Sequence, residues 1–237
     1  MWDRTTRAFH WINVVCVVVL AALGTMMLNG KALGLAHDGS ILLKTLHAYV
    51  GYVFALNLIW RLIWASVGNR HARWRAILPT GGGFAAALRG QIQALRAGRP
   101  AVYIGHSPVG RIMITCLILL LIVQAMTGLL LAGTDLYLPP FGAYFADWVT
   151  GGEAERLALL RTGSTEHVVA EAYDAMKAFR KPFKETHEFG FFVLVAVVLM
   201  HVAANVLEDA RHATGQISAM FSGVKLLPGK PVDDSDG

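Results

Sequence analysis

The stretch HEFGFFVLVAVVLMHVAANVL, residues 187–207, decides the fold. It is polar at its ends and apolar in the middle, and long enough to cross a bilayer core of about 30 Å as a helix. A histidine stands toward each end, His187 and His201. In a helix their fourteen-residue separation advances about 21 Å and misses a whole number of turns by only about 40°. Both imidazoles therefore project from nearly one face, one near each edge of the apolar slab.

Working outward, three further stretches have the same character: 10–28, 45–66 and 111–133. The third, RIMITCLILLLIVQAMTGLLLAG, carries no charge after Arg111. The chain has 237 residues, 55% hydrophobic and 16% charged, well below the roughly 25% charged residues of a soluble domain. The expected fold is an all-α integral membrane four-helix bundle forming one domain over 1–237. The segment after the first span, MMLNGKALGLAHDG, lacks a small-x-small cleavage site. That span is read as a retained anchor, so His10 stays in the chain.

The net charge of +5 is unevenly spread. Segment 66–110 carries Arg70, Arg73, Arg75, Arg89, Arg96 and Arg99 and no acid, whereas 134–186 carries six bases against eight acids. Basic residues gathered in alternate loops follow the positive-inside rule. Both termini and segment 66–110 are expected on the cytoplasmic side of a bacterial inner membrane. Segments 29–44 and 134–186 are expected on the periplasmic side. The pattern fits membrane lipid, not nucleic acid. Within 66–110, Phe84, Leu88, Ile92 and Leu95 share a helical face. A basic helix on the inner leaflet and a short helix packed on the bundle both fit.

Loop 29–44, with Gly30, Gly34 and Gly39, is expected to be irregular. In the long 134–186 loop, residues 165–181 read as an amphipathic helix ended by Pro182. Residues 228–237 read as a disordered tail.

Depth fixes how the histidines pair. His10 begins the first span and His201 is near the inner end of the fourth. His47 and His187 begin the second and fourth at the other level. His10 thus shares a depth with His201, and His47 with His187. A single intramembrane histidine is more often an interhelical hydrogen bond than a ligand. Four at two matched levels reverse that reading and point to two haems, each between two imidazoles. Such an iron has no open position and shuttles electrons. Cys16 and Cys116 are isolated and there is no C-x-x-C-H, so the haem is of the non-covalent b type. Gly24, Gly51, Gly128 and Gly190 lie near the ligand positions, where small residues admit a flat macrocycle. Arg61, well inside the second span, is read either as a propionate partner or as snorkelling to the headgroups. His37, His71, His106, His167 and His212 fall in loops.

Several motifs carry a family resemblance over nearly the whole chain. They are Arg7-Ala8-Phe9-His10-Trp11; Leu46-His47 through Tyr52, Arg61 and Trp64 to Gly68-Asn69-Arg70-His71-Ala72-Arg73-Trp74; Gly105-His106-Ser107-Pro108; Thr127-Gly128; Glu208-Asp209; and Met220-Phe221-Ser222-Gly223. With these the chain resembles the b-type cytochrome subunits of membrane-bound nickel-iron hydrogenases. Those belong to a wider four-helix dihaem superfamily with formate dehydrogenase gamma subunits and bacterial cytochrome b561. The resemblance implies that His10, His47, His187 and His201 ligate two haem b groups. It also implies quinone chemistry at the loop before the third span, at His106, Ser107 and Gly110, although Ser107 stands where the family often has Asn. There His106 could exchange a proton with a quinone oxygen. The 134–186 loop is long for the hydrogenase type, so a periplasmic c-type cytochrome competes with a hydrogenase small subunit as partner.

The expectation is therefore an electron-transfer subunit of an oxidoreductase, linking a periplasmic redox partner to the quinone pool. Electrons flow inward with a hydrogenase; with a c-type cytochrome, outward flow is equally open. Two rivals remain. One is a membrane anchor for a redox enzyme, with haem secondary. The other is a histidine-lined transporter, which the carboxylate-free span cores disfavour.

Overall fold

The structure, a computed structural model, describes residues 2–98, 102–212, 215–225 and 231–232. Helices in chain order are α1 (Arg4–Leu28), α2 (His37–Val67), α3 (Trp74–Ile77), α4 (Phe84–Arg96), α5 (Pro108–Leu136), α6 (Gly142–Thr150), α7 (Ala154–Leu159), α8 (Ala170–His212) and α9 (Gln216–Ser222). No strand occurs among the described residues. Four helices, α1, α2, α5 and α8, are long and apolar enough to cross a membrane. Large side chains on them face outward, among them Leu56 at 67% and Phe189 at 71% exposure. A soluble core would bury such residues; lipid solvates them.

Each spanning helix is longer than its apolar stretch, for local reasons. The Asp3 carboxylate accepts from the Thr6 backbone N–H at 2.6 Å, capping α1 ahead of His10. Ser107 caps α5, its hydroxyl accepting from the Gly110 N–H at 3.1 Å, and Pro108 occupies the first helical position, where no N–H is needed. The irregular loop expected over 29–44 is confined to a turn. Gly34 takes a left-handed φ of 65° there, and Gly39 lies inside α2.

The largest departure is at Pro182. The helix expected to stop there runs on, and α8 is one helix of 43 residues, about 64 Å. Proline removes one hydrogen bond, to the Ala178 carbonyl. The Phe179 ring holds the turn: it packs on Phe145 of α6 at 5.9 Å and, within α8 across the proline, on Phe183 at 5.3 Å. Segment 134–186 also contains α6 and α7, which the sequence reading did not anticipate. Of the tail 228–237, only Pro231 and Val232 lie within the described residues.

The chain forms two compact units. Unit 1 is Met1–Ile12, Asn57–Leu121 and Val193–Gly237; unit 2 is Asn13–Leu56 and Ile122–Phe192. In unit 1, Asn57 Nδ2 donates to the Phe9 carbonyl at 3.1 Å, and Trp64 Nε1 donates to Asp3 at 3.1 Å. Trp11 Nε1 donates to the Met220 carbonyl at 3.0 Å, tying α9 to α1. In unit 2, Phe145, Val149 and Met176 form a core joined by Leu130, Trp148 and Tyr173. The backbone N–H of Val169 donates to the Val149 carbonyl at 2.8 Å and sets the entry to α8.

Candidate functional site

Each unit contains one of the histidine pairs expected from depth. In unit 2, the rings of His47 on α2 and His187 on α8 have centroids 6.2 Å apart at an interplanar angle of 75°. Two imidazoles binding one metal ion from opposite sides, with bonds of about 2.0 Å, give a similar centre-to-centre spacing of about 6 Å.

The surroundings of this pair fix the His187 ring and leave it room. Thr127 Oγ1 lies 2.9 Å from His187 Nδ1 and donates to the Val123 carbonyl at 2.7 Å. A hydroxyl has one proton, so having donated it, Thr127 accepts from Nδ1–H. That tautomer leaves Nε2 with the lone pair a metal needs. Gln124 Nε2 donates to the His187 carbonyl at 3.1 Å. Gly128 lets the ring approach: a Cβ there would sit 3.2 Å from His187 Cε1. At Gly24 a Cβ would sit 3.7 Å from His47 Cε1, whereas at Gly51 it would meet open space. Gly190 leaves room for Gln124, whose Nε2 would lie 2.5 Å from an added Cβ. The buried Nδ1 of His47 has no hydrogen-bond partner.

In unit 1, His10 on α1 and His201 on α8 are close enough to interact electrostatically. His10 Nδ1 is buried without a partner, and Trp11 stands edge-on to the His10 ring at 5.3 Å. Asn205 Nδ2 donates to the His201 carbonyl at 2.7 Å. Arg61 is 6% exposed, donates Nη1 to the Ala72 carbonyl at 3.2 Å and lies 5.7 Å from the Phe9 ring. Among the described residues no carboxylate forms a salt bridge with this buried guanidinium.

Among the described residues no group of three or more His, Cys, Asp or Glu could hold a bare ion. A pair of imidazoles suits a metal that brings its own equatorial ligands. The paired imidazole donors and the open space at Gly51 fit a haem.

The loop residues divide. His106 lines a cavity of about 420 Å³ in unit 1, with His71, Phe84, Tyr103 and Arg111. Its Nδ1 is buried and unpartnered, and the Trp2 ring lies 4.7 Å away. Burial, followed by the charges of Arg61, Lys225, His71 and Arg111, holds the His106 pKa down to about 3. His106 is therefore a neutral hydrogen-bonding group at ordinary pH. Ser107 is outside the cavity lining, its hydroxyl taken by the cap on Gly110. The Ser-Pro pair was the sequence signal for that role. Arg111 and Tyr103 were missed. Arg111 donates to the carbonyls of Arg75 at 2.9 Å and Thr80 at 3.1 Å, and to that of Leu78, fixing one wall.

A family model described as prokaryotic cytochrome b561 matches residues 1–223. Among curated proteins, the chain is 24% identical to the probable Ni/Fe-hydrogenase B-type cytochrome subunit of Cupriavidus necator, over 96% of this chain and 86% of that one. It is 25% identical to the probable Ni/Fe-hydrogenase 1 B-type cytochrome subunit of Escherichia coli, covering 95% and 89%. It is 26% identical to the corresponding subunit of Bradyrhizobium diazoefficiens, covering 94% and 84%. No solved structure matches the chain.

Proposed function

The chain belongs to the prokaryotic cytochrome b561 family, and from that membership we propose that it carries electrons across a bacterial inner membrane through two haem b sites. His47 with His187 forms the periplasmic site, and His10 with His201 the cytoplasmic one. The observation that carries this reading is the single helix α8, which presents His187 and His201 about 21 Å apart. His187 faces His47 across 6.2 Å, and His201 shares its unit with His10.

Haem b, which these histidine pairs would hold, would supply one-electron exchange. The protein supplies orientation and electrostatics. Thr127 sets the tautomer of His187, and the glycines clear space around the periplasmic ligands. Arg61 offers a buried positive charge to a propionate of the cytoplasmic haem.

The cavity at His106 is proposed as the quinone site. A neutral imidazole there donates to or accepts from a quinone oxygen. It takes up a proton only when an anion forms beside it, since the surrounding cations otherwise oppose protonation. Ser107 and Gly110 act through the cap that sets this loop on α5. The periplasmic partner is a nickel-iron hydrogenase, in keeping with the names of the relatives. The basic segment 66–110 supports cytoplasmic placement of the quinone cavity and of both termini.

Single substitutions to alanine test the pairing. His47→Ala and His187→Ala should remove the same haem, and His10→Ala and His201→Ala the other. Each should abolish electron transfer from the periplasmic donor to quinone while the partner stays bound. If transfer survives in His47→Ala, the chain is an anchor and this reading fails.

A further inference from the structure

Unit 2 contains a cluster of charges that the ligand set leaves unexplained. Lys44 Nζ lies 3.0 Å from Asp135 Oδ2, and Arg180 pairs with Oδ1 of the same carboxylate. Two cations thus share one anion and one positive charge is left over. Asp135 is 16% exposed and Arg180 22%, whereas Lys44 is 46% exposed, so water screens the Arg180 side of the cluster less than the Lys44 side. Other bases on α8 have acids of their own: Lys177 pairs with Asp174 at 2.7 Å, Lys181 with Glu185 at 3.8 Å and Lys184 with Glu188 at 3.4 Å. The half-buried Arg180, sharing its carboxylate with Lys44, has donor capacity left for a second anion.

Position says where that anion comes from. Arg180 is seven residues before His187 on α8, nearly two turns, and so lies on the same face about 10 Å farther along. Lys44 is three residues before His47 on α2 and Asp135 seven after Gly128 on α5. Each charged residue is one or two turns beyond a residue that forms the His47–His187 site, on the face that forms it. All three lie in unit 2.

We propose that Lys44 and Arg180 bind the propionate carboxylates of the haem held by His47 and His187, with Asp135 holding the two cations in place. The proposal rests on the haem reading above. Arginine matches a carboxylate with two parallel N–H donors, and lysine adds a point charge. Asp135 prevents the two cations from repelling one another and keeps both side chains aimed at one spot.

The test is an optical redox titration of the holoprotein in detergent, comparing wild type with Lys44→Met, Arg180→Met and Asp135→Asn. Removing a positive charge beside a haem favours its oxidised state. Either methionine variant should lower one haem's midpoint by roughly a tenfold change in its reduction equilibrium, about 59 mV for one electron. The other haem should not move. Asp135→Asn frees both cations and should shift the same midpoint upward. Lys44→Arg should restore the wild-type value. Unchanged potentials with lowered thermal stability would overturn the proposal and leave the cluster as a tie between helices. Should Arg180→Met fail to fold, an unmoved midpoint in Asp135→Asn is equally contradictory. Wild type without haem would refute the haem reading itself, a distinct result.

Discussion

At the residue scale, Thr127 and His106 have the most to test. Thr127→Val keeps the side-chain shape and leaves the His187 Nδ1–H buried without its acceptor. That costs about 1–3 kcal/mol and frees the imidazole to adopt the other tautomer. Thermal unfolding of the holoprotein should fall accordingly and the haem between His47 and His187 should be lost more readily, with Thr127→Ser restoring both. Full retention in the valine variant would deny Thr127 this role. His106 gives a pH dependence of definite sign. Its pKa is about 3 in the folded chain, against an ordinary 6.5. Between these values the unfolded chain binds more protons, so stability falls as pH drops through that window and is complete above 6.5. His106→Gln should show a shallower loss of thermal stability on acidification than wild type; an equal slope would count against a buried, neutral His106. The approach of His47 to His187 was legible because helical period and span depth are properties of sequence alone. The Thr127 contact was not, although Thr127-Gly128 stood out as a motif. It depends on the register of α5 against α8, which neither helix encodes by itself.

At the element scale, α8 is the informative case. Its apolar half was legible from hydropathy and its amphipathic half from periodicity. Their fusion through Pro182 was not, because proline in a helix interior is ordinarily a stop. Packing of Phe179 and Phe183 overrides that local preference. Pro182→Ala should therefore lengthen no element and change no topology. It should restore one backbone hydrogen bond and raise thermal stability by up to about 3 kcal/mol. A lower melting temperature would mean that the proline geometry is itself required. The short helices α6 and α7 went unseen for a related reason. Pro139-Pro140 read as a breaker, and α6 after it is held by burial of Phe145 and Val149 in a core the sequence does not display, whereas the six-residue α7 buries none of its residues. Helix α4 follows neither of its two expectations in full. Phe84 and Leu88 are half-buried, whereas Ile92 and Leu95 on the expected stripe are exposed.

At the scale of the whole molecule three features go together: four apolar helices, one histidine pair in each unit, and arginines gathered in one segment. The spans were legible because a membrane protein must satisfy its backbone within each helix, which makes hydropathy a strong signal. The cavity at His106 was only half legible. Its wall residues Phe84, Tyr103 and Arg111 come from separate segments that folding brings together. The central claim is that one chain holds two bis-histidine haems. Its most direct test is the optical spectrum of the detergent-purified protein, oxidised and dithionite-reduced, with haem stoichiometry. The account expects two b haems per chain, both low-spin in each oxidation state. A folded protein with no haem, or with one, would contradict it.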